Sequence, residues 1–413
     1  MRFELDLELP DVELLDVSRN EKGDYVIELH STKKMVKCRK CGREIVSFKG
    51  YDDWIEIRHL PVLGRNVYLR IRPRRYQCFE CDNEPTTTEE FSWRVPGKSY
   101  TKGYQEHVLR SLINSTVEDV CMKEGLGAKQ VESMLSGSFF GEEPVNHITH
   151  IGTLGLDEIA LKKGHKDFVV IVSSHTEGQT RVLGVLPDRK KETVIQFLEQ
   201  IPDKLKATIE SVATDMYEGY LNAAKESLGE EVEIVIDRFH VAQTYRKGAD
   251  IIRKQEQKRL KQELNEEDYK KLKGLLWAFR KNPEDLEENG KEILEITFNH
   301  SPDLKKAYEL RNIMTDNFNK DCSKKEAIVN FQEWEQKVRE SGLKCFDSFV
   351  KTLDNFKSEI ANYFNKRCNS GFVEGLNNKI KVIKRRCYGI FNIKHLRHRI
   401  VLDTLGTKLL IIK

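Results

Sequence analysis

Three acidic residues occupy positions that chemistry explains better than solubility. Asp157 closes the apolar run Leu154-Gly155-Leu156, Asp215 closes the run Ile209 to Thr214, and Glu374 falls in the helix-like stretch from Ser370 to Lys381. A lone aspartate at the end of a strand is usually a turn or cap residue. Two of them with a helix-borne glutamate can instead form an oxygen cage for two divalent ions. Carboxylates a few ångströms apart repel unless a cation lies between them. Paired cations activate a nucleophile and stabilise a leaving oxygen, which is the equipment for cutting and joining phosphodiesters.

The neighbours of these acids carry secondary roles. Asp237 ends Ile234-Val235-Ile236 and precedes Arg238-Phe239-His240. Asp237 and His240 are expected beside the metals or facing DNA, with direct ligation by Asp237 the open alternative. Glu158 should point to the opposite sheet face from Asp157 by strand alternation, and so reads as structural. Glu374, Asn378 and Lys381 fall at i, i+4 and i+7 on one helix face, with Asn377 and Arg385 close to it. The run Lys384-Arg385-Arg386 would grip a phosphate backbone without reading sequence.

A second constellation is sulfur-based. Cys38-Arg39-Lys40-Cys41 and Cys78-Phe79-Glu80-Cys81 supply two pairs of thiolates, enough to close a tetrahedral structural zinc site. The 36 residues between the pairs exceed the usual ribbon spacing and predict strands of their own. Lys37, Arg39, Lys40 and Arg43 around the first pair favour contact with DNA. Cys121, Cys322, Cys345, Cys368 and Cys387 are scattered and read as structural or incidental.

The elements that must hold these residues follow from periodicity. Val12 to Val17 and Tyr25 to Leu29, joined near Asn20-Glu21-Lys22-Gly23, predict a hairpin, and Val67 to Arg72 predicts a strand. Helices are predicted over Tyr104 to Leu112, Val117 to Glu124 with Ser115 or Thr116 as N-cap, and Ala128 to Leu135. The last two, split by Gly125-Leu126-Gly127, have the pattern of a helix-turn-helix. Lys129 and Gln130 at the start of its second helix are candidate DNA contacts. Strands are predicted at 154–160, 168–174, 180–186, 208–215 and 232–237, with helices at 189–200 and 217–228. Three antiparallel strands, then helices alternating with parallel strands, is an RNase H-like order. Residues 240–365 carry almost no strand signal and predict a block of amphipathic helices.

Bulk properties agree with a multidomain α/β protein. The chain has 413 residues, 39% hydrophobic and 33% charged, too long for one simple core. It has no apolar stretch long enough to cross a membrane as a helix and no signal-peptide pattern at its start, so a cytoplasmic protein is expected. Net charge is only +3, but residues 31–75 hold 13 Lys/Arg against 4 Asp/Glu, and residues 375–400 hold 8 Lys/Arg and no acid. Such local basic surfaces can neutralise phosphates.

These residues together resemble a known family, the insertion-sequence transposases of the ISL-three branch of the DDE transposases. The resemblance rests on Cys38/Cys41 and Cys78/Cys81 with His59-Leu60-Pro61 between them, and on Gly155-Leu156-Asp157-Glu158, Thr214-Asp215-Met216-Tyr217 and Asp237-Arg238-Phe239-His240-Val241. It rests most of all on Glu374-Gly375-Leu376-Asn377-Asn378-Lys379-Ile380-Lys381, continuing to Arg385-Arg386-Cys387-Tyr388-Gly389. It implies an RNase H-like catalytic core, a mixed sheet with flanking helices, interrupted by an all-helical insertion and preceded by a zinc ribbon-like module and a helix-turn-helix. The corresponding division is 1–98, 99–148, 149–240, 241–366 and 367–413. The implied catalytic triad is Asp157, Asp215 and Glu374 on two Mg2+ or Mn2+ ions, with Zn2+ on Cys38, Cys41, Cys78 and Cys81.

The implied substrate is double-stranded DNA: the element's terminal inverted repeats, and a target. A bacterial, nucleoid-associated setting and a homodimer or larger assembly on DNA are further implications. Two other readings stay open at this level. One is a DNA-binding regulator derived from such an enzyme, against which the intact triad argues. The other is a nuclease that cuts without joining, against which the end-recognition modules argue.

Overall fold

The computed structural model of the protein describes residues 7, 9–141, 145, 148–161, 168–366, 371–390 and 392–411. Cys368 and Ser370 lie outside them. The chain divides into two compact units, Met1–Glu142 with Val401–Lys413, and Glu143–Ile400.

The first unit begins with nine strands: β1 (Val12–Arg19), β2 (Tyr25–Ser31), β3 (Val36–Lys37), β4 (Glu44–Ile45), β5 (Phe48–Tyr51), β6 (Ile55–Val62), β7 (Arg65–Ile71), β8 (Arg74–Gln77) and β9 (Thr86–Thr88). The main sheet has the order β1-β2-β7-β6, with β2 and β7 parallel. Alternate residues Ile27, Leu29, Val67, Leu69 and Ile71 fill its core against Phe91 and Trp93. The paired β3 and β4 and the three-stranded β5-β8-β9 carry the cysteines between and beyond these strands.

Three helices follow: α1 (Lys102–Leu112), α2 (Val117–Glu124) and α3 (Ala128–Ser136). Thr101 caps α1. Thr116 caps α2 in a reciprocal box with Asp119. Gly125 ends α2 in the left-handed region at φ 65°, where a side chain would be strained. Tyr104, Val108, Leu112, Val120, Val131 and Leu135 form their shared core, which Val401 and Leu402 complete. His59, from the His-Leu-Pro segment, is buried and its Nδ1 lies 3.0 Å from Thr101 Oγ1, tying β6 to the start of α1.

The second unit is built on β10 (Gly152–Ala160), β11 (Phe168–Thr176), β12 (Gln179–Leu186), β13 (Ile209–Thr214) and β14 (Ile234–Ile236), in the order β12-β11-β10-β13-β14. The first three are antiparallel, and β10, β13 and β14 are parallel. Helices α4 (Lys191–Gln200), α5 (Asp203–Lys206) and α6 (Glu218–Leu228) make the crossovers. A helical block follows: α7 (Arg238–Glu263), α8 (Glu266–Lys271), α9 (Leu275–Arg280), α10 (Glu288–His300), α11 (Pro302–Asn319), α12 (Lys324–Ser341), α13 (Asp347–Ala361) and α14 (Tyr363–Lys366). Then come α15 (Gly371–Arg386) and α16 (Ile393–Gly406).

The sheet is buried on both faces, so its strands read as nearly continuous apolar runs. Leu154, Leu156, Val170 and Val172 face the core shared with α4, α6 and the helical block. Ile159, Val169 and Ile171 face the other way, against Leu376 and Ile380 of α15 and Leu396 and Ile400 of α16. The site lies on this second side.

Candidate metal and phosphate site

Parallel register decides where the acids meet. Leu156 pairs with Thr214, and Thr214 with Ile236. The residue that follows each of these is Asp157, still within β10, Asp215, just past the end of β13, and Asp237, just past the end of β14. Register thus brings three aspartates to the ends of neighbouring strands spaced about 4.8 Å apart. Two rows back, Gly155 pairs with Ala213, so the row behind the acids carries almost no side chain. That gap admits α15: a Cβ on Gly155 would stand 2.5 Å from Ser173 Oγ and 2.8 Å from Val373 Cγ2.

Helix α15 then reaches the row itself. Asn377, 3% exposed, donates from Nδ2 to Oδ2 of Asp157 at 2.5 Å. Asp157 Oδ1 accepts the Glu158 N–H at 2.7 Å. Glu374 is exposed and sits one turn before Asn377, roughly 4.5 Å back along the axis. Lys381 is one turn beyond, on the same edge of the helix. Lys384 anchors the far half of α15, donating to the carbonyls of Ala160 and Leu161.

Each acid has a fixed partner set. Asp215 Oδ1 accepts the Tyr217 N–H at 3.0 Å. Asp237 caps α7 through the Phe239 N–H at 2.8 Å, and its Oδ2 lies 3.8 Å from His240 Nε2. Burial pushes the Asp157 carboxyl up to about 6, with Asp215 and Asp237 adding to the effect and the Glu158 N–H and His240 opposing it. Asp215 is raised too, chiefly by burial, while the Tyr217 N–H, His240 and Arg189 pull against the shift. Glu158 faces the other side, meeting Tyr220 at 3.3 Å and Arg189 at 3.4 Å, as strand alternation predicts.

This environment suits a hard cation. The donors are all oxygens, the set that takes Mg2+, Mn2+ or Ca2+ over softer metals. The raised carboxyl pKa values come chiefly from burial, a cost to the ionised form that a bound cation would offset. Asn377 Oδ1 is buried without a hydrogen-bond partner beside the same acids. Among the described residues, one group has its metal-ligating atoms all within 4.8 Å of one another, the sulfur one of Cys38, Cys41, Cys78 and Cys81.

In the cysteine cluster, Cys38 and Cys81 Sγ are 4.0 Å apart and Cys41 and Cys78 Sγ 3.9 Å. A tetrahedron with zinc–sulfur bonds of about 2.3 Å has edges of about 3.8 Å. The backbone N–H groups of Cys41 and Lys40 hold the Cys38 thiol down to about 6. Cys81 is pushed up to about 12, mainly by Cys41, because several thiolates cannot share one site without a cation.

The candidate DNA contacts divide. Lys37, Arg39, Lys129, Gln130, Asn378, Lys381 and Arg385 are exposed, and Arg386 is half-buried. Gln130 also accepts the Gly127 N–H at 2.9 Å. Arg43 pairs with Glu80 at 2.7 Å, and Lys40 reaches the Asp82 carbonyl at 3.3 Å. Lys384 is half-buried, with its ammonium held by the carbonyls of Ala160 and Leu161. Sequence reasoning missed the two residues that seat the helix. Asn377 was legible only as lying near the glutamate's face, and Gly155 only as part of an apolar run.

A row of strand-end carboxylates beneath a basic helix is a candidate site for phosphate-ester chemistry. Comparison with known proteins gives the family. Residues 154–400 match the ISL3 DDE family model, described as a transposase. Residues 34–81 match a model described as the zinc-finger of transposase IS204/IS1001/IS1096/IS1165. The chain is similar to the transposase for insertion sequence element IS1001 of Bordetella parapertussis, 26% identical over 88% of this chain and 87% of that one. It is also similar to the transposase for insertion sequence element IS1557 of Mycobacterium tuberculosis, 21% identical over 86% of this chain and 82% of the relative.

The chain belongs to the ISL3 family of DDE transposases. It is therefore an enzyme of DNA transposition, acting with a divalent metal. Among the described residues, no helix is long and apolar enough to cross a membrane.

Proposed function

We propose that Asp157, Asp215 and Glu374 are the catalytic carboxylates of an RNase H-like core, and that the protein cuts its element's ends and joins them to target DNA. The observation that carries this reading is the shared register of Asp157 and Asp215, with Asn377 fixing the glutamate-bearing helix to the first of them. The three carboxylates would hold two Mg2+ or Mn2+ ions, which supply positive charge against the charge that develops on the phosphoryl oxygens. Asn377 orients Asp157, and the Tyr217 N–H orients Asp215. Asp237 and His240 stand beside the ligands and tune their charge. In the reaction, water attacks the phosphorus at the element end, the bond to the 3′ oxygen breaks and a 3′-OH is freed. That hydroxyl then attacks a target phosphorus and displaces another 3′ oxygen.

The cysteine cluster is read as a structural zinc site. The α1–α3 unit is read as a helix-turn-helix, with the zinc module and α3 recognising the terminal inverted repeats in double-stranded DNA. Lys37, Arg39, Lys129 and Gln130 are its candidate contacts, and Asn378, Lys381, Arg385 and Arg386 would meet phosphates near the acids. Synapsis of two ends requires at least a dimer on DNA. The test is strand transfer. Purified protein, Mg2+ or Mn2+, a duplex carrying the element end and a target plasmid should give joined products from wild type and none from Asp215→Ala. Cutting without joining by the wild type would favour a nuclease.

A further inference from the structure

Helix α7 leaves the carboxylate row carrying a cluster of opposite sign. Beyond His240, it presents Gln243, Arg246, Lys247 and Asp250 to an open cavity of about 460 Å3, lined also by Phe279, Arg280 and Arg311. Four cations thus face one carboxylate. That carboxylate is already occupied, with Arg253 at 2.7 Å, Arg280 at 3.1 Å and Lys254 at 3.4 Å. Arg311 is 3% exposed. Its N–H groups go to the carbonyls of Phe279 and Lys281 and to the Asn312 side chain. Its hydrogen bonds are satisfied and its guanidinium lies 4.8 Å from the centroid of the Tyr308 ring, but no carboxylate balances its charge. Among the described residues, Arg311, Arg246 and Lys247 form no ion pair with a carboxylate.

A guanidinium taken out of water without a counter-charge is costly, and an anion in the cavity removes that cost. Arginine forks fit phosphate oxygens. Phe279 is 1% exposed and packed on Tyr308, so the cavity offers no open aromatic face to a base. The chemistry is that of a phosphate group alone. Arg246 and Lys247 follow His240 by roughly 9–10 Å along the helix. A DNA strand advances about 3.4 Å per nucleotide.

We propose that this cavity binds a backbone phosphate of the DNA substrate about three nucleotides from the reacting phosphodiester. The helical block would then be a strand-positioning element of the enzyme. The distance rests on the catalytic site proposed above; the anion site itself does not.

The test uses the full chain and a duplex carrying the element end, with neutral methylphosphonates placed singly at each linkage around the cut. Binding is read by fluorescence anisotropy. In wild type, one linkage about three nucleotides from the cut should cost roughly tenfold in affinity. The double variant Arg246→Ala/Lys247→Ala should show a similar loss on unmodified DNA and no further loss from that methylphosphonate. Both side chains are exposed, so an unchanged melting temperature checks that the variant folds. An identical methylphosphonate pattern in wild type and variant overturns the proposal, as does failure of wild type to bind the end. Inorganic phosphate forms the second arm. If it stabilises wild type but not the variant while DNA binding is the same in both, the cavity takes free anions and the DNA assignment is wrong. Because the readout is binding, interference without cutting would contradict the catalytic reading and leave the phosphate site standing.

Discussion

Asn377 of α15 donates to Asp157 of β10, a hydrogen bond that spans 220 residues of sequence. It fixes both the carboxylate's orientation and the height of the helix that carries Glu374. Asn377→Ala should lower apparent Mn2+ affinity and cleavage rate roughly 10- to 100-fold, the usual cost of losing a group that orients a metal ligand. Binding to the element end should change little. Calorimetric Mn2+ titration beside a cleavage assay checks this. Asn377→Asp should be worse than Asn377→Ala near neutral pH, because it places a carboxylate against Asp157.

The raised pKa of Asp157 has a consequence for stability. Its folded value of about 6 lies above its ordinary 3.8. Such a group favours folding below the ordinary value, and that contribution is lost as pH rises through about 6. Without metal, Asp157→Asn should therefore be more stable than wild type at pH 7.5, by up to about 3 kcal/mol, and equal to it near pH 3.5. Mn2+ should reverse the order at pH 7.5 by stabilising wild type alone. Thermal melts at the two pH values, with and without Mn2+, measure both effects.

Gly155 sets how closely the helix can lie on the sheet. In Gly155→Ala the new methyl meets Ser173 and Val373 well inside contact distance. Overpacking of this kind costs about 1–3 kcal/mol. Relief by lifting α15 would move Glu374 from the aspartates. Cleavage should accordingly fall more than the melting temperature alone explains, while binding through the N-terminal unit persists. Chemical denaturation and cleavage on the same preparation separate the two.

Much of this arrangement was readable from residue patterns, for reasons that differ by element. Strands β10 to β14 are buried on both faces, so their apolar runs stand out, and an aspartate ending such a run is conspicuous. The predicted strands and the helices at 189–200 and 217–228 agree with β10–β14, α4 and α6 to within a few residues. Thr116 was legible as a cap because its side chain acts locally. The register that aligns Asp157 with Asp215 is a long-range pairing and leaves no local mark. Asn377 and Lys384 looked like members of a polar, basic helix face. Only packing shows that one is buried on Asp157 and the other is spent on the carbonyls of Ala160 and Leu161. The packing of Val401 and Leu402 with α1–α3 is equally hidden, since it joins residues far apart in the chain.

The central claim is that Glu374, not the in-register Asp237, completes the carboxylate set. Strand transfer in Mn2+ by Glu374→Gln and Asp237→Asn tests it most directly. Glu374→Gln should bind the element end normally and lose more than about a hundredfold in joining, beyond what an orienting residue costs. Asp237→Asn should keep most of its joining, since an asparagine can still cap α7. Joining at the wild-type rate by Glu374→Gln, with joining abolished in Asp237→Asn, would contradict the account and move the third ligand to the sheet.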